Sequence, residues 1–248
     1  VYFDANSFSA TGQTVSISGS VADCKSMDWS GVTNAPTFSI GNNLSIYGSL
    51  TFVPNMTVSS SSSVYLYLKS TGSGNTITFA ENEFKGHIHI DGIGGEWTLQ
   101  DSLSINHRYS SLTINEGVLN TDGNSIYTGK FIIQNSATAN MSSSHIYCKR
   151  QFWIRSLNYN TDLSTIHAIG NDFYDLETNT NVRLLLLENA SNCTVYGSGF
   201  ERIDVIGSGV KELHSITADS IIVDPGRTIK LDGTVTVNDY LEMNGTCS

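Results

Sequence analysis

Residues 64–90 read VYLYLKSTGSGNTITFAENEFKGHIHI, and the two ends of this stretch decide the fold. In Val64-Tyr65-Leu66-Tyr67-Leu68 and in His87-Ile88-His89-Ile90 the side chains alternate with period two. That is the pattern of a strand with one face turned to a core. Gly72-Ser73-Gly74-Asn75 supplies a turn between them, and Ile77-Thr78-Phe79 alternates again. Tyr65 precedes His87, and Tyr67 precedes His89, by 22 residues in each case. A chain that returns to the same strand position after 22 residues is coiling.

The same short runs recur outward in both directions: Leu44-Ser45-Ile46, Leu50-Thr51-Phe52, Leu112-Thr113-Ile114 and Val235-Thr236-Val237. Clusters of Gly, Asn and Asp separate them, as at Gly92-Ile93-Gly94-Gly95, Asp122-Gly123-Asn124 and Asp232-Gly233. Apolar landmarks at Phe84, Leu103, Ile126, Ile146, Phe173, Phe200 and Ile221 fall 19, 23, 20, 27, 27 and 21 residues apart. A sandwich gives strands every ~8–12 residues without this longer beat. In a solenoid, strands of successive coils stack and their inward residues form ladders along the axis. The pattern predicts an all-β fold, a single-stranded parallel β-helix of about ten coils over residues 1–248. The hand is expected to be right, since crossovers between parallel strands favour it. Residues 1–40, with Met27, Trp29 and Pro36 out of alternation, are expected to form an atypical, cap-like first coil of the same single domain.

Composition agrees and excludes several classes. The chain has 39% hydrophobic and 15% charged residues, 22 Gly and 3 Pro, with a net charge of −10. Its 13 Lys and Arg are scattered along the chain, so no basic face for a nucleic acid is visible. The acidic balance disfavours anionic membranes and leaves Ca²⁺ among the partners such a surface can attract, although no motif indicates a cofactor. No apolar run approaches the ~20 residues of a membrane span, so direct insertion is not expected. Cys24, Cys148, Cys193 and Cys247 follow no metal-ligand spacing and are expected to be mostly unpaired. Cys148 and Cys193 lie 45 residues apart, about two coils, too far for a bridge. The chain opens at Val1 in strand-like sequence and ends on Asn244-Gly245-Thr246-Cys247-Ser248. Both ends are therefore expected to be cuts in a longer polypeptide that supplies neighbouring domains.

The stretches YFDANSFSATGQTVSI, CKSMDWSGVTNAPTF, LSIYGSLTF, GIGGEWTLQDSLSI and LTINEGVLNTDG, closed by LEMNGTCS, resemble the β-helical segments of very large secreted proteins of gliding and related Bacteroidetes. The resemblance spans most of residues 1–125 and the last dozen. It implies an extracellular, cell-surface adhesin whose β-helix is structural or adhesive and not catalytic. It carries no residue-level site, so candidate sites come from the residues themselves.

Parallel β-helices also host pectin-cleaving enzymes, and Asn120-Thr121-Asp122-Gly123 opens like the N-T-D-G motif of polygalacturonase-like hydrolases, where clustered carboxylates do acid–base work. No Asp-Asp pair or G-H-G accompanies it, and Glu201-Arg202-Ile203-Asp204 has an acid where that family needs Lys. A turn after a strand reads the same way. A Ca²⁺ cage of the pectate-lyase kind would need more than Asp172, Asp175 and Arg183 in one irregular loop. Catalytic residues are therefore expected to be absent. A flat Thr ladder for ice is missing too, because the exposed positions mix Tyr, His, Lys and Glu. The six N-x-S/T sequons are what a chain rich in Asn, Ser and Thr yields by chance.

One constellation stands out as a ligand-binding candidate. His87 and His89 share a strand face opposite Ile88 and Ile90. One coil earlier Tyr65 and Tyr67 do the same, so the four form a two-by-two outward patch. Such a patch offers ring faces to sugars of a surface polysaccharide or to another cell-surface component. It also offers two imidazoles for a transition metal, given a third ligand. Cross-strand aromatic packing that only stabilises the sheet is the plainer reading of the same residues.

Overall fold

The structure, a computed structural model, describes residues 1–141, 143–155, 164–170, 175–188 and 192–244. Among the described residues every regular element is a strand, from Thr14–Ile17 to Thr236–Met243. Every strand pairing is parallel. The strands stack as a β-solenoid of about ten turns. Each coil lays short runs on three sheets, and the chain enters the same sheet again one coil later.

One ladder shows the construction. Ala22, Leu44, Leu66, Ile88, Leu112, Phe131, Phe152, Leu176, Val195, Leu213 and Leu231 are successive register partners. Consecutive members are 18 to 24 residues apart in the chain. A second ladder runs Leu103, Ile126, Ile146, Ile166, Leu185, Ile203, Ile221, Leu241. The third sheet stacks Met27, Leu50, Ile77 and Leu99. The apolar members of the runs that define the period point inward: Leu66, Leu68, Ile88 and Ile90 are at most 1% exposed.

The second ladder corrects part of the landmark count. Phe173 lies outside the described residues. Phe200 pairs with Val182 and Ala218, three positions before the ladder residue Ile203. The coils there are set by Ile166, Leu185 and Ile203, so the two 27-residue gaps are not coils. Bulky rings drew the count away from the smaller residues that hold the register.

Inside the coils an aromatic column follows the axis. Trp29, fully buried, stacks on Phe3 at 3.9 Å and meets Phe38 at 5.1 Å; Phe38, Phe52 and Phe79 continue it. Residues 1–40 thus contribute Phe3, Phe8 and Trp29 to this column. They also contribute strands Thr14–Ile17 and Val21–Cys24, which are already in register with the next coil. Trp97, also fully buried, donates its indole N–H to the Gly48 carbonyl two coils below, 3.1 Å away, so its one polar atom is satisfied.

Corners need residues that tolerate close backbone approach. A Cβ at Gly92 would lie 1.9 Å from the Ser70 carbonyl oxygen, and one at Gly95 would lie 2.0 Å from it. These two glycines let coils stack at strand spacing where the chain bends. Cys24, Cys148 and Cys193 are unpaired. Burial pushes the Cys193 thiol up to about 11 and raises that of Cys148 further. Cys247 lies outside the described residues. No helix among the described residues is long and apolar enough to cross a membrane.

Candidate functional site

The structure brings Tyr65, Tyr67, His87 and His89 together in the register expected. Tyr65 pairs with His87 and Tyr67 with His89 on adjacent strands. The alternation that buries Leu66, Leu68, Ile88 and Ile90 turns these four outward. They are nonetheless half-buried, because they pack on each other. Tyr65 stacks on His87 at 4.7 Å with an interplanar angle of 16°, and lies parallel to Tyr67 at 5.7 Å. His89 stands edge-on to both tyrosines, 5.2 and 5.5 Å away. The Lys69 ammonium sits 4.9 Å from the centre of the Tyr67 ring.

Electrostatics follow from that packing. Burial lowers the pKa of His87, with the neighbouring His89 adding to it. Burial also lowers that of His89, against an opposing pull from Asp91. Both imidazoles are therefore biased to the neutral form. His87 Nδ1 lies 2.9 Å from the Ser111 hydroxyl, and His89 Nδ1 lies 3.5 Å from the Asn115 amide. Asn115 in turn donates to Asp91 and accepts from Gln134, so a polar ladder on successive coils flanks the rings. The patch can offer phenol hydroxyls and imidazole nitrogens at its rim. The stacked faces of Tyr65 and His87 are already used on each other.

Within the N-T-D-G element Asn120 and Thr121 are bonded into neighbouring coils, while Asp122 and Gly123 shape a turn. Asn120 donates to Glu96 Oε1 at 2.7 Å and accepts from Asn140 at 2.6 Å. The Thr121 hydroxyl, buried, donates to the Asn140 carbonyl at 3.1 Å. Asp122 and Gly123 have φ of 51° and 76°, and the Asn124 N–H closes the turn on the Thr121 carbonyl at 2.9 Å. That is a tight turn with both central residues left-handed. The shallow recess beside it is lined by Thr98, Asn120, Asp122, Gly123, Asn140 and Ser143, with one carboxylate among them. Of the trio weighed as a Ca²⁺ cage, Asp172 lies outside the described residues. Asp175 pairs through its backbone with Gln151. Arg183 lines a separate recess with His145, Glu201 and Arg202.

Among the described residues neither His87 nor His89 belongs to a group of three or more metal-ligand atoms. Among the described residues the one such group is Glu212, His214 and Asp232, whose ligand atoms lie within 4.8 Å of one another. Glu212 is held by Lys230 at 2.8 Å and His214 by Asp232 at 3.0 Å. The three are members of one ion pair and one imidazole–carboxylate hydrogen bond that link adjacent coils.

A second aromatic column escaped the sequence reading. Tyr127, Tyr147 and His167 are successive register partners on another sheet. Tyr127 and Tyr147 stack at 4.5 Å and 3°, and Tyr147 and His167 at 4.2 Å and 20°. His167 lies 2.9 Å from His145 and 3.2 Å from Glu188; burial lowers its pKa against the pull of that carboxylate. The signal was present, since the three rings sit at intervals of 20 residues. No protein-family model, curated protein or solved structure matches the chain.

Proposed function

We propose that the chain is a structural and adhesive segment of an extracellular bacterial cell-surface protein, whose partners are surface polysaccharide or another surface component. The observation that carries this reading is the unbroken ladder from Ala22 to Leu231. Ten steps at the ~4.8 Å strand spacing make a rod roughly 50 Å long, stiffened by a continuous apolar core. Such a rod holds whatever adjoins it at a fixed distance. Its outer positions, free of core duty, carry Ser, Thr, Asn and the aromatic columns on a surface of net charge −10. The Asn120–Asn124 turn supports this reading over a carbohydrate-cleaving one, because Asp122 is the one carboxylate lining its recess and glycoside cleavage takes a pair.

The test is replacement of the segment, within its parent surface protein, by an unrelated β-solenoid of equal coil number. Surface display is then checked by protease shaving, and attachment to polysaccharide-coated glass is measured. The adhesive reading expects attachment to fall while display is kept. Unchanged attachment reduces the segment to a spacer. A parent protein that shaving never reaches overturns the surface assignment altogether.

A further inference from the structure

We infer that the outer recess beside Tyr127 is a binding subsite for one ring of a neutral pyranose saccharide. The inference deepens the adhesive reading and takes its biological meaning from it, while the binding itself is a property of this chain. The column His167–Tyr147–Tyr127 stacks one ring per coil at 4.2 and 4.5 Å. On the next coil the register partner of Tyr127 is Ser104, and the partner of Ser104 is Glu83. The column therefore stops at a position where the fold would accept another ring and the sequence supplies a hydroxymethyl group. Tyr127 and Glu83 are two strand spacings apart, about 9.6 Å along the axis. A sugar ring midway between them would sit on the Tyr127 face at the separation the other rings already adopt.

The vacant place is a recess and not a flat surface. Tyr127 and Ser104 line it together with Gln100, Asn124, Glu81 and Asn106, and its volume is about 620 Å³. Small-ligand sites span roughly 300–1,000 Å³, so one ring with its linked neighbour fits. Tyr127 is 38% exposed, a large apolar face left open to water on an otherwise polar wall. Amides and hydroxyls around one open aromatic face are the chemistry that recognises a sugar ring: the ring packs its C–H face on the tyrosine and its hydroxyls meet the polar rim. The charge of the rim selects among sugars. Glu81 and Asp101 face the recess. The Lys149 ammonium beside the recess is bound to Asn106. Uronates and sulfated sugars would meet a net negative wall, and neutral hexoses would not. Asp101 is committed to the fold by accepting the N–H groups of Phe79, at 2.8 Å, and of Ala80; Asn106 accepts from Lys149 and Asn124 donates to the Leu99 carbonyl at 3.1 Å, so the hydroxyl partners are Gln100, Glu81 and the Asn124 amide oxygen.

The experiment titrates the full chain by calorimetry with cello-, malto-, manno- and galacto-hexaoses, and with hexagalacturonate as the acidic comparison. At least one neutral hexaose should bind. Tyr127→Ala should weaken it tenfold or more. Ser104→Tyr, which extends the stack and fills the vacancy without opening a cavity, should do the same with an unchanged melting temperature. Tyr65→Ala/Tyr67→Ala should leave affinity within twofold. Absence of binding by every neutral hexaose, preference for hexagalacturonate, or binding that survives both Tyr127→Ala and Ser104→Tyr overturns the subsite. Survival in those two with loss in the Tyr65/Tyr67 variant removes the recess and keeps the adhesive reading. Binding in the recess without loss of attachment in the replacement experiment removes the adhesive reading and keeps the recess.

Discussion

A side chain inside a solenoid packs against its own coil and against the coils above and below, so its loss opens a cavity that three coils line. Trp97 is the sharpest case, being fully buried and tied to Gly48 through its N–H. Trp97→Ala is expected to destabilise the protein by about 3–5 kcal/mol, read by urea denaturation; a loss below 1 kcal/mol would mean that the coils collapse around the gap. Titration acts at the same scale. His87, His89 and His167 all have pKa values below the ordinary 6.5 because burial disfavours their charged forms. A histidine depressed in the folded state binds a proton more readily once unfolded. Stability should therefore be full above about pH 6.5 and fall as the pH drops below it toward the folded values. Thermal midpoints taken between pH 7.5 and 5 should show that fall. In His87→Asn/His89→Asn it should be shallower, and a wild type flat across the window would contradict the assignment. Residue-level placement was legible in the sequence wherever alternation was clean, as in Tyr65–Leu68 and His87–Ile90. Cross-strand packing of the rings was legible as the plainer reading of the same residues, but the angles were not, Tyr65 flat on His87 and His89 edge-on, because period two fixes the side of a sheet and leaves ring orientation open.

Turns test which glycines the element needs and for what reason. At Gly123 a Cβ meets nothing within 4 Å, and only the positive φ of 76° resists a side chain. Gly123→Ala should therefore cost about 1–2 kcal/mol, the left-handed penalty alone. At Gly92 the added Cβ would strike the Ser70 carbonyl at 1.9 Å, a backbone atom that can yield only by moving the coil below. Gly92→Ala is expected to lower the melting temperature well beyond the effect of Gly123→Ala, and equal effects would show that the corner flexes freely. The pitch of the coil was read correctly where turn residues punctuate it and misread after Ile146. There the strands run on around corners, as in Cys193–Val205 and Val210–Val223, with no Asn-Gly or Asp-Gly to mark the bend. Without an Asn-Gly or Asp-Gly signal the largest rings are the conspicuous landmarks, and Phe200 stands in for Ile203. The 20-residue repeat of Tyr127, Tyr147 and His167 would have given the pitch directly. It faces outward, so a count along inward residues passes it by.

At the scale of the molecule, stability in a parallel stack is a sum over coils and the interfaces between neighbours, with few contacts that skip a coil. The ladder through Ile203, Ile221 and Leu241 exposes this. Ile203 and Ile221 are fully buried, whereas Leu241 on the last coil is 48% exposed. Leu241→Asp should be tolerated with little change in melting temperature, since water already reaches that side chain. Ile221→Asp places a carboxylate between two coils with no partner, at a cost of several kcal/mol. That exceeds what one interface returns, so the coils on its C-terminal side should open. The coils on its N-terminal side keep their own interfaces, their share of the ladders and the Trp29–Phe38–Phe52–Phe79 column. Amide exchange followed by mass spectrometry is therefore expected to show protection lost across residues 210–244 of Ile221→Asp and retained across 37–133. A globular core with contacts running end to end would instead lose protection everywhere at once. Uniform loss in this variant would show that the rod unfolds as one cooperative unit, and that its coils are not energetically separable over a span of ten.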